Sequence, residues 1–300
     1  MFIEQVPYIG ELMAITTAII WASAVVLFKK SGETVHPVGL NLFKNSLSVL
    51  LLIPTLYFFN LLSLRDISNW DYCVLLFSGA IGIGIADTFL FKCLNYLGAG
   101  TTAIVDCLYS PFVIGFSFLL LGESLTTMQI FGVLLILSAV FTATYTPDKE
   151  VTDKRRLLKG LLYGISAMLL TGFGVVIVKP VLEHEPLLWV TTVRLSGGLA
   201  FLVLFLLFNK NRQVIVQSIF KGGLRFSTVT GSFLGAYLAM IFWLGGMKYT
   251  QASTAAALNQ TNSIFVFIFA YFILKEKITI KKTIGILLAV IGALLVIFNS

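Results

Sequence analysis

Ten apolar runs, each close to the length a helix needs to cross a bilayer, follow one another along this chain. They lie at 9–29, 37–59, 71–94, 101–121, 127–145, 157–179, 187–208, 226–247, 253–274 and 281–298. A helix rises about 1.5 Å per residue, so about 20 residues span a hydrocarbon core of about 30 Å. Inside that core each segment has to pair its own backbone amides, and runs this long and uniform favour helices over barrel strands. Composition agrees: with 58% of its 300 residues hydrophobic and 12% charged, the chain has too little polar surface to coat a soluble globule. An all-α polytopic membrane protein is expected. The first run does not read as a cleavable signal, because "MFIEQVPYIGE" has no basic region and no small-residue cleavage site follows.

The one sizeable polar stretch, "TPDKEVTDKRRLLKG" (146–160), separates five runs from five. The two sides repeat each other. At an offset of 150, Gly10, Ile15, Val25, Val26 and Lys29 fall on Gly160, Ile165, Val175, Val176 and Lys179, and Lys44 falls on Arg194. At an offset of 153, Asp106, Ser110 and Glu123 fall on Asn259, Ser263 and Glu276. The expected organisation is a five-helix repeat over 1–147, a polar linker over 148–156 and a second five-helix repeat over 157–300. An odd number of spans per repeat inserts the second half upside down. The reading is therefore ten transmembrane helices as two inverted five-helix repeats, an arrangement in which carriers place the substrate path between the halves.

Most of the 21 lysines and arginines sit in the loops on one side of these spans. The positive-inside rule then puts both termini outside the cytoplasm. The net charge of +7 follows from those basic loops and calls for no nucleic acid.

A charge at mid-span costs about 2.5–3.5 kcal/mol on insertion scales, so intramembrane polar residues are candidates for function. Lys44 and Arg194 stand about two turns into the second and seventh runs, where they would suit a carboxylate or phosphate, or would snorkel to the interface. Asp87, deep in the third run, is the candidate for proton coupling, against a static ion-paired role. Lys92, five residues on, is off the spacing of a helical pair. "ALNQTNSIF" (257–265) sets Asn259, Gln260, Thr261, Asn262 and Ser263 in succession; its counterpart "VDCLYSPF" brings Asp106, Tyr109, Ser110 and Pro111. These polar girdles are the candidate binding site, with structural bonding between helices as the alternative. Trp21 lies within its run rather than at an edge, and Tyr237 and Trp243 are weaker candidates of the same kind. Gly231 with Gly235, and Ser78 with Gly82, read as faces for close helix packing. Glu123 and Glu276 read as structural, shaping tight turns beside Thr126 and Thr279.

The "IIWASAVVLFKK" of the first run, the "YSPFVIGFSFLLLGESLTTMQIFGVLLILSAV" of the fourth and fifth, and its echo at 262–292 carry a resemblance. The chain resembles the drug/metabolite transporter superfamily, in its EamA-type branch of ten-helix carriers. That resemblance implies a secondary carrier working by alternating access, with Trp21 on the cavity wall and spans 5 and 10 peripheral. The expected substrate is a small polar or amphipathic metabolite, an amino acid or derivative, with export against protons as one mode; the alternatives are a nucleotide-sugar or phosphorylated metabolite, or a non-transporting membrane partner. One chain is expected to suffice, alone or as a homodimer, in a bacterial cytoplasmic membrane. No cofactor or metal is expected, and no enzyme: the two histidines, His36 and His184, lie near loops, no HExxH pattern or P-loop occurs, and Cys73, Cys93 and Cys107 are scattered.

Overall fold

The computed structural model describes residues 7–124, 126–145, 154–221, 225–276 and 279–297, and their regular structure is entirely helical. Helix α1 covers Ile9–Ser31 and α2 Pro37–Phe58, the latter opened by Pro37 with His36 Nδ1 accepting from the Val38 amide. Helix α3 (Asn69–Gly79) passes through a π-helical segment (Ala80–Ile85) into α4 (Ala86–Asp106); α5 (Tyr109–Leu121) and α6 (Thr127–Tyr145) complete the first half. The second half holds α7 (Lys154–Val176), the short α8 (Lys179–His184), α9 (Leu187–Phe208) and α10 (Arg212–Phe220). There follow α11 (Phe226–Ser232), a second π-helical segment (Phe233–Leu238), α12 (Ala239–Tyr249), α13 (Ala252–Asn259), α14 (Asn262–Leu274) and α15 (Ile280–Ile297). Among the described residues, seven continuous stretches are long and apolar enough to cross a bilayer, with shorter apolar helices beside them. This is an all-helical, multi-pass membrane protein.

Helix ends depart from the apolar runs where the backbone bends. The run expected to end at 94 continues in α4 to Gly98, whose backbone (φ 79°, ψ 171°) turns the chain before helix resumes. The run 101–121 is then broken at Cys107–Leu108. Pro111 has no N–H to give the Cys107 carbonyl one turn back, so the hydrogen-bond ladder opens there. In the second half the break at Gln260–Thr261 carries no proline; Thr261 Oγ1 instead donates to Leu258 O at 2.8 Å. The offset of 153 persists in backbone detail. The π-helical segments begin at Ala80 and Phe233, and Gly122 and Lys275 both take left-handed conformations at helix C-termini. Residues 148–153 of the expected linker, Lys149 among them, lie outside the described residues, as does the basic-loop residue Lys277.

The small residues allow helices to touch. A Cβ on Gly235 would stand 2.8 Å from the Phe28 ring and 2.9 Å from Ala24 Cβ, so α1 lies directly on that face. Helix α3 meets α9 more closely still, since a Cβ on Gly79 would fall 1.8 Å from the Arg194 carbonyl oxygen. Glu123 and Glu276 do more than shape turns: each reaches the opposite half. Glu276 accepts the amides of Ala99 and Gly100 at 2.7 and 2.9 Å. Glu123 accepts the amides of Ala252 and Ser253 at 3.2 and 3.4 Å, and the Ser253 hydroxyl. Both carboxylates thus cap buried helix starts, where free amides and the helix dipole favour negative charge. Capping of the next helix in sequence falls to Thr126, whose hydroxyl accepts from the Gln129 amide while Gln129 Oε1 accepts from Thr126 N.

Candidate functional site

A cavity opens among α1, α4, α5, α7, α12, α13 and α14, with the two π-helical segments in its wall. Its lining is paired by the repeat. At an offset of 153, Gly82 is mated with Gly235, Asp87 with Met240, Leu90 with Trp243, Asp106 with Asn259, and Tyr109 with Asn262; at 150, Trp21 is mated with Thr171. Trp21 lies midway along α1 and Thr17 one turn before it on the same face. The helix breaks at 107–108 and 260–261 present Asp106, Tyr109, Asn259 and Asn262. The pairing is geometric but not chemical, because both acids come from the first half.

Of the residues singled out in the sequence, Trp21, Asp87, Asp106, Tyr109, Trp243, Asn259 and Asn262 line the cavity, with Gly82 and Gly235 of the packing faces. Asp106 Oδ2 accepts from Asn262 Nδ2 at 3.1 Å and forms no ion pair with any described residue. Tyr109 Oη accepts from Trp243 Nε1 at 3.0 Å, tying the two rings together across the halves. Asp87 is paired, by Lys44 rather than Lys92: Lys44 Nζ is 2.7 Å from Asp87 Oδ2 and 3.0 Å from Asn45 Oδ1. Lys92 turns instead to the Tyr163 and Phe89 rings, 4.8 and 5.6 Å from their centroids.

Five candidates stand off the wall. Lys44 is buried behind Asp87 and does not snorkel. Ser110 is buried without a hydrogen-bond partner among the described residues. Tyr237 meets Thr55, hydroxyl to hydroxyl, at 2.8 Å. Gln260 lies behind Asp106, donating from Nε2 to its carbonyl oxygen at 3.4 Å. Arg194 is 0% exposed, its guanidinium carbon 5.0 Å from the centre of the Trp243 ring. A Cβ on cavity-lining Gly82 would stand 3.1 Å from Arg194 Nη2, so the guanidinium is seated against bare glycine backbone.

Sequence reasoning passed over Thr17, Met168, Thr171 and Met240 on the wall, and a polar buttress behind it. Asn41 Nδ2 donates to Ile83 O and Gly84 O at 2.9 and 3.0 Å, satisfying carbonyls of the π-helical segment, and Asn45 Nδ2 donates to Asn41 Oδ1. Asparagines spaced i, i+4 inside an apolar run were the available signal. Met240 and Thr171 could have been found as the repeat mates of Asp87 and Trp21.

The sequence profile of the EamA-like transporter family matches residues 8–145 and again 158–298, once per half. The chain belongs to the EamA-like transporter family. An uncharacterised transporter of Archaeoglobus fulgidus is 24% identical over 291 residues, covering 95% of this chain and 97% of its own. One of Methanothermobacter thermautotrophicus is 22% identical over 309 residues, covering 97% and 87%. The uncharacterised transporter YetK of Bacillus subtilis is 35% identical over 134 residues, 43% of this chain and 38% of its own. A solved crystal structure shares the fold with a TM-score of 0.70 at 17% identity, over 95% of both chains. As an EamA-like protein this is a membrane transporter and not an enzyme. The two EamA matches fall on α1–α6 and α7–α15, so the cavity between them is shared by both EamA-like units.

Proposed function

We propose that the protein is a secondary carrier that moves a small polar or amphipathic metabolite, an amino acid or derivative, by alternating access. In this reading α3 and α4 to Leu97 form the third span, and residues 99–121 the fourth. Helices α7 with α8, α11 with α12, and α13 with α14 form the sixth, eighth and ninth. That gives ten spans in two inverted repeats, 1–147 and 157–300 about the 148–156 linker, with both termini outside the cytoplasm of a bacterial inner membrane.

The observation that carries the reading is the cavity wall built from repeat-related pairs, since inverted-repeat carriers bind substrate at the interface of their halves. Its chemistry supports an ammonium-bearing substrate with an apolar body. Among the described residues the Asp106 carboxylate has neutral Asn262 on it and no cation, and the buried acceptors Asn259 Oδ1 and Gln260 Oε1 receive no donor. Trp21, Tyr109 and Trp243 supply rings for the apolar part and for cation–π contact. Export by proton exchange belongs to the same reading. Asp106, which meets no cation among the described residues, suits that exchange better than Asp87, which holds Lys44.

The test is counterflow of radiolabelled amino acids in proteoliposomes of the purified protein. Saturable exchange that Asp106→Asn abolishes, with the variant still monodisperse in detergent, is the expected result. Exchange undiminished in Asp106→Asn would remove Asp106 from the site. No exchange of any amino acid or derivative would sink the substrate assignment.

A further inference from the structure

Two buried cations stand at repeat-related positions in the second and seventh runs, and among the described residues only one of them meets a carboxylate. Lys44 and Arg194 are repeat mates at an offset of 150, and Asp87 and Met240 are mates at 153. In the first half the cation and acid meet: Lys44 Nζ lies 2.7 Å from Asp87 Oδ2, with Lys44 1% exposed. In the second half the cation is present and the acid's position holds a thioether. Arg194 is 0% exposed, and its Nε, Nη1 and Nη2 have no hydrogen-bond partner among the described residues. The Trp243 ring, 5.0 Å from the guanidinium carbon, offers π-electron density but no acceptor atom. A buried guanidinium without an acceptor is costly through desolvation, and a chain retains such a group where something else supplies the anion.

The surroundings show where that anion would arrive. Trp243, Gly82 and Met240 all belong to the cavity wall. Glycine at 82 and at 174 leaves the guanidinium edge uncovered by side chain, since a Cβ at either position would come within 3.1 and 3.6 Å of Nη2. An anion in the cavity beside Trp243 and Met240, the repeat mate of Asp87, would supply Arg194 with the kind of partner that Asp87 gives Lys44. We propose that Arg194 is the recognition cation for a carboxylate on the transported molecule, which completes the ion pair the second half lacks. The proposal rests on the carrier reading above and names the acidic end of the substrate, where Asp106 would take the basic end. A singly charged carboxylate fits the precedent of Asp87, and its planar oxygens match the fork of a guanidinium. A phosphate dianion would meet the same guanidinium with Asp87 and the uncompensated Asp106 in the same wall.

Two measurements test it on purified full-length protein. The first is a thermal double-mutant cycle of Met240→Asp and Arg194→Met, with Met240→Asn as control. Met240→Asp should melt higher than Met240→Asn only while Arg194 is present; equal melting in both backgrounds would mean that Arg194 does not reach the cavity, and would overturn the proposal. The second is thermal stabilisation by the common amino acids, their carboxamides and inorganic phosphate. Acids should stabilise the wild type with apparent affinity at least about tenfold above their amides, a difference of about 1.4 kcal/mol. Both Arg194→Met and Met240→Asp should lose that preference. Equal binding of acids and amides, acid binding that persists in Arg194→Met, stabilisation by phosphate alone, or none by any acid would each overturn it. Methionine replaces the guanidinium with an apolar group of similar length, so Arg194→Met is expected to fold. Acid-selective binding without counterflow would remove the carrier reading and leave the Arg194 site standing.

Discussion

Lys44 and Asp87 show what a charge needs in order to sit inside this bundle. The lysine is 1% exposed and survives because a carboxylate lies 2.7 Å away, with Asn45 Oδ1 as a second acceptor. Asp87→Asn alone should therefore destabilise strongly, on the order of 3–5 kcal/mol, by stranding a buried ammonium. The double variant Lys44→Met/Asp87→Asn should recover most of that loss, because it removes both charges. Chemical or thermal melting of the two proteins decides the matter, and a double variant no more stable than Asp87→Asn would refute the pairing. At this scale the sequence is legible where a residue contradicts its surroundings. Asp87, Asp106, Tyr109, Asn259 and Asn262 stand out in apolar runs, and all face the cavity. Met168 and Met240 also face it, yet an apolar residue in an apolar run carries no sign of which neighbour it will meet. Arg194 stood out equally and still lies behind the wall, since a long side chain does not declare its direction in sequence.

Helices here are set by contact between backbones as much as by apolar length. Gly79 has the Arg194 carbonyl where its Cβ would be, at 1.8 Å, whereas Gly115 has nothing within 4 Å. Gly79→Ala should push α3 from α9 and cost at least about 1–3 kcal/mol, as overpacking of a close contact does. Gly115→Ala should instead stabilise by up to about 1 kcal/mol, through helix propensity alone. Paired melting curves distinguish them, and a Gly79→Ala protein as stable as wild type would mean that the α3–α9 contact yields without cost. Hydropathy located the stretches that form helices but not the points where they break. Gly98 and the Cys107–Leu108 step lie in sequence as apolar as its surroundings, and only Pro111 hinted at the second of them. The matching break at Gln260–Thr261 has no proline, so no local rule pairs the two; the repeat does.

Across the whole molecule, the halves are fastened to each other at both ends of residues 99–121. Glu276 holds the start of that segment, and Glu123, just past its end, holds the start of α13. Each carboxylate was conspicuous in the sequence as one of a pair, but its partner lies some 130–177 residues away and no spacing rule reaches that far. Glu123→Ala and Glu276→Ala should each cost about 1 kcal/mol, as the loss of a helix cap does. With the two sites at opposite ends of that broken segment, their effects should add to within about 0.5 kcal/mol in the double variant. A strongly non-additive melting result would show that the two ends of the bundle are coupled. The unequal halves carry a further consequence on the carrier reading. Two identical inverted repeats would make the inward-facing and outward-facing states exchange roles with no difference in free energy. Every mismatched pair in this chain, Asp87 against Met240 and Asp106 against Asn259 among them, lifts that degeneracy. The resting orientation of the empty protein is thus a sum over the differences between its repeats, and exchanging a mated pair would reset it while leaving the inventory of side chains unchanged.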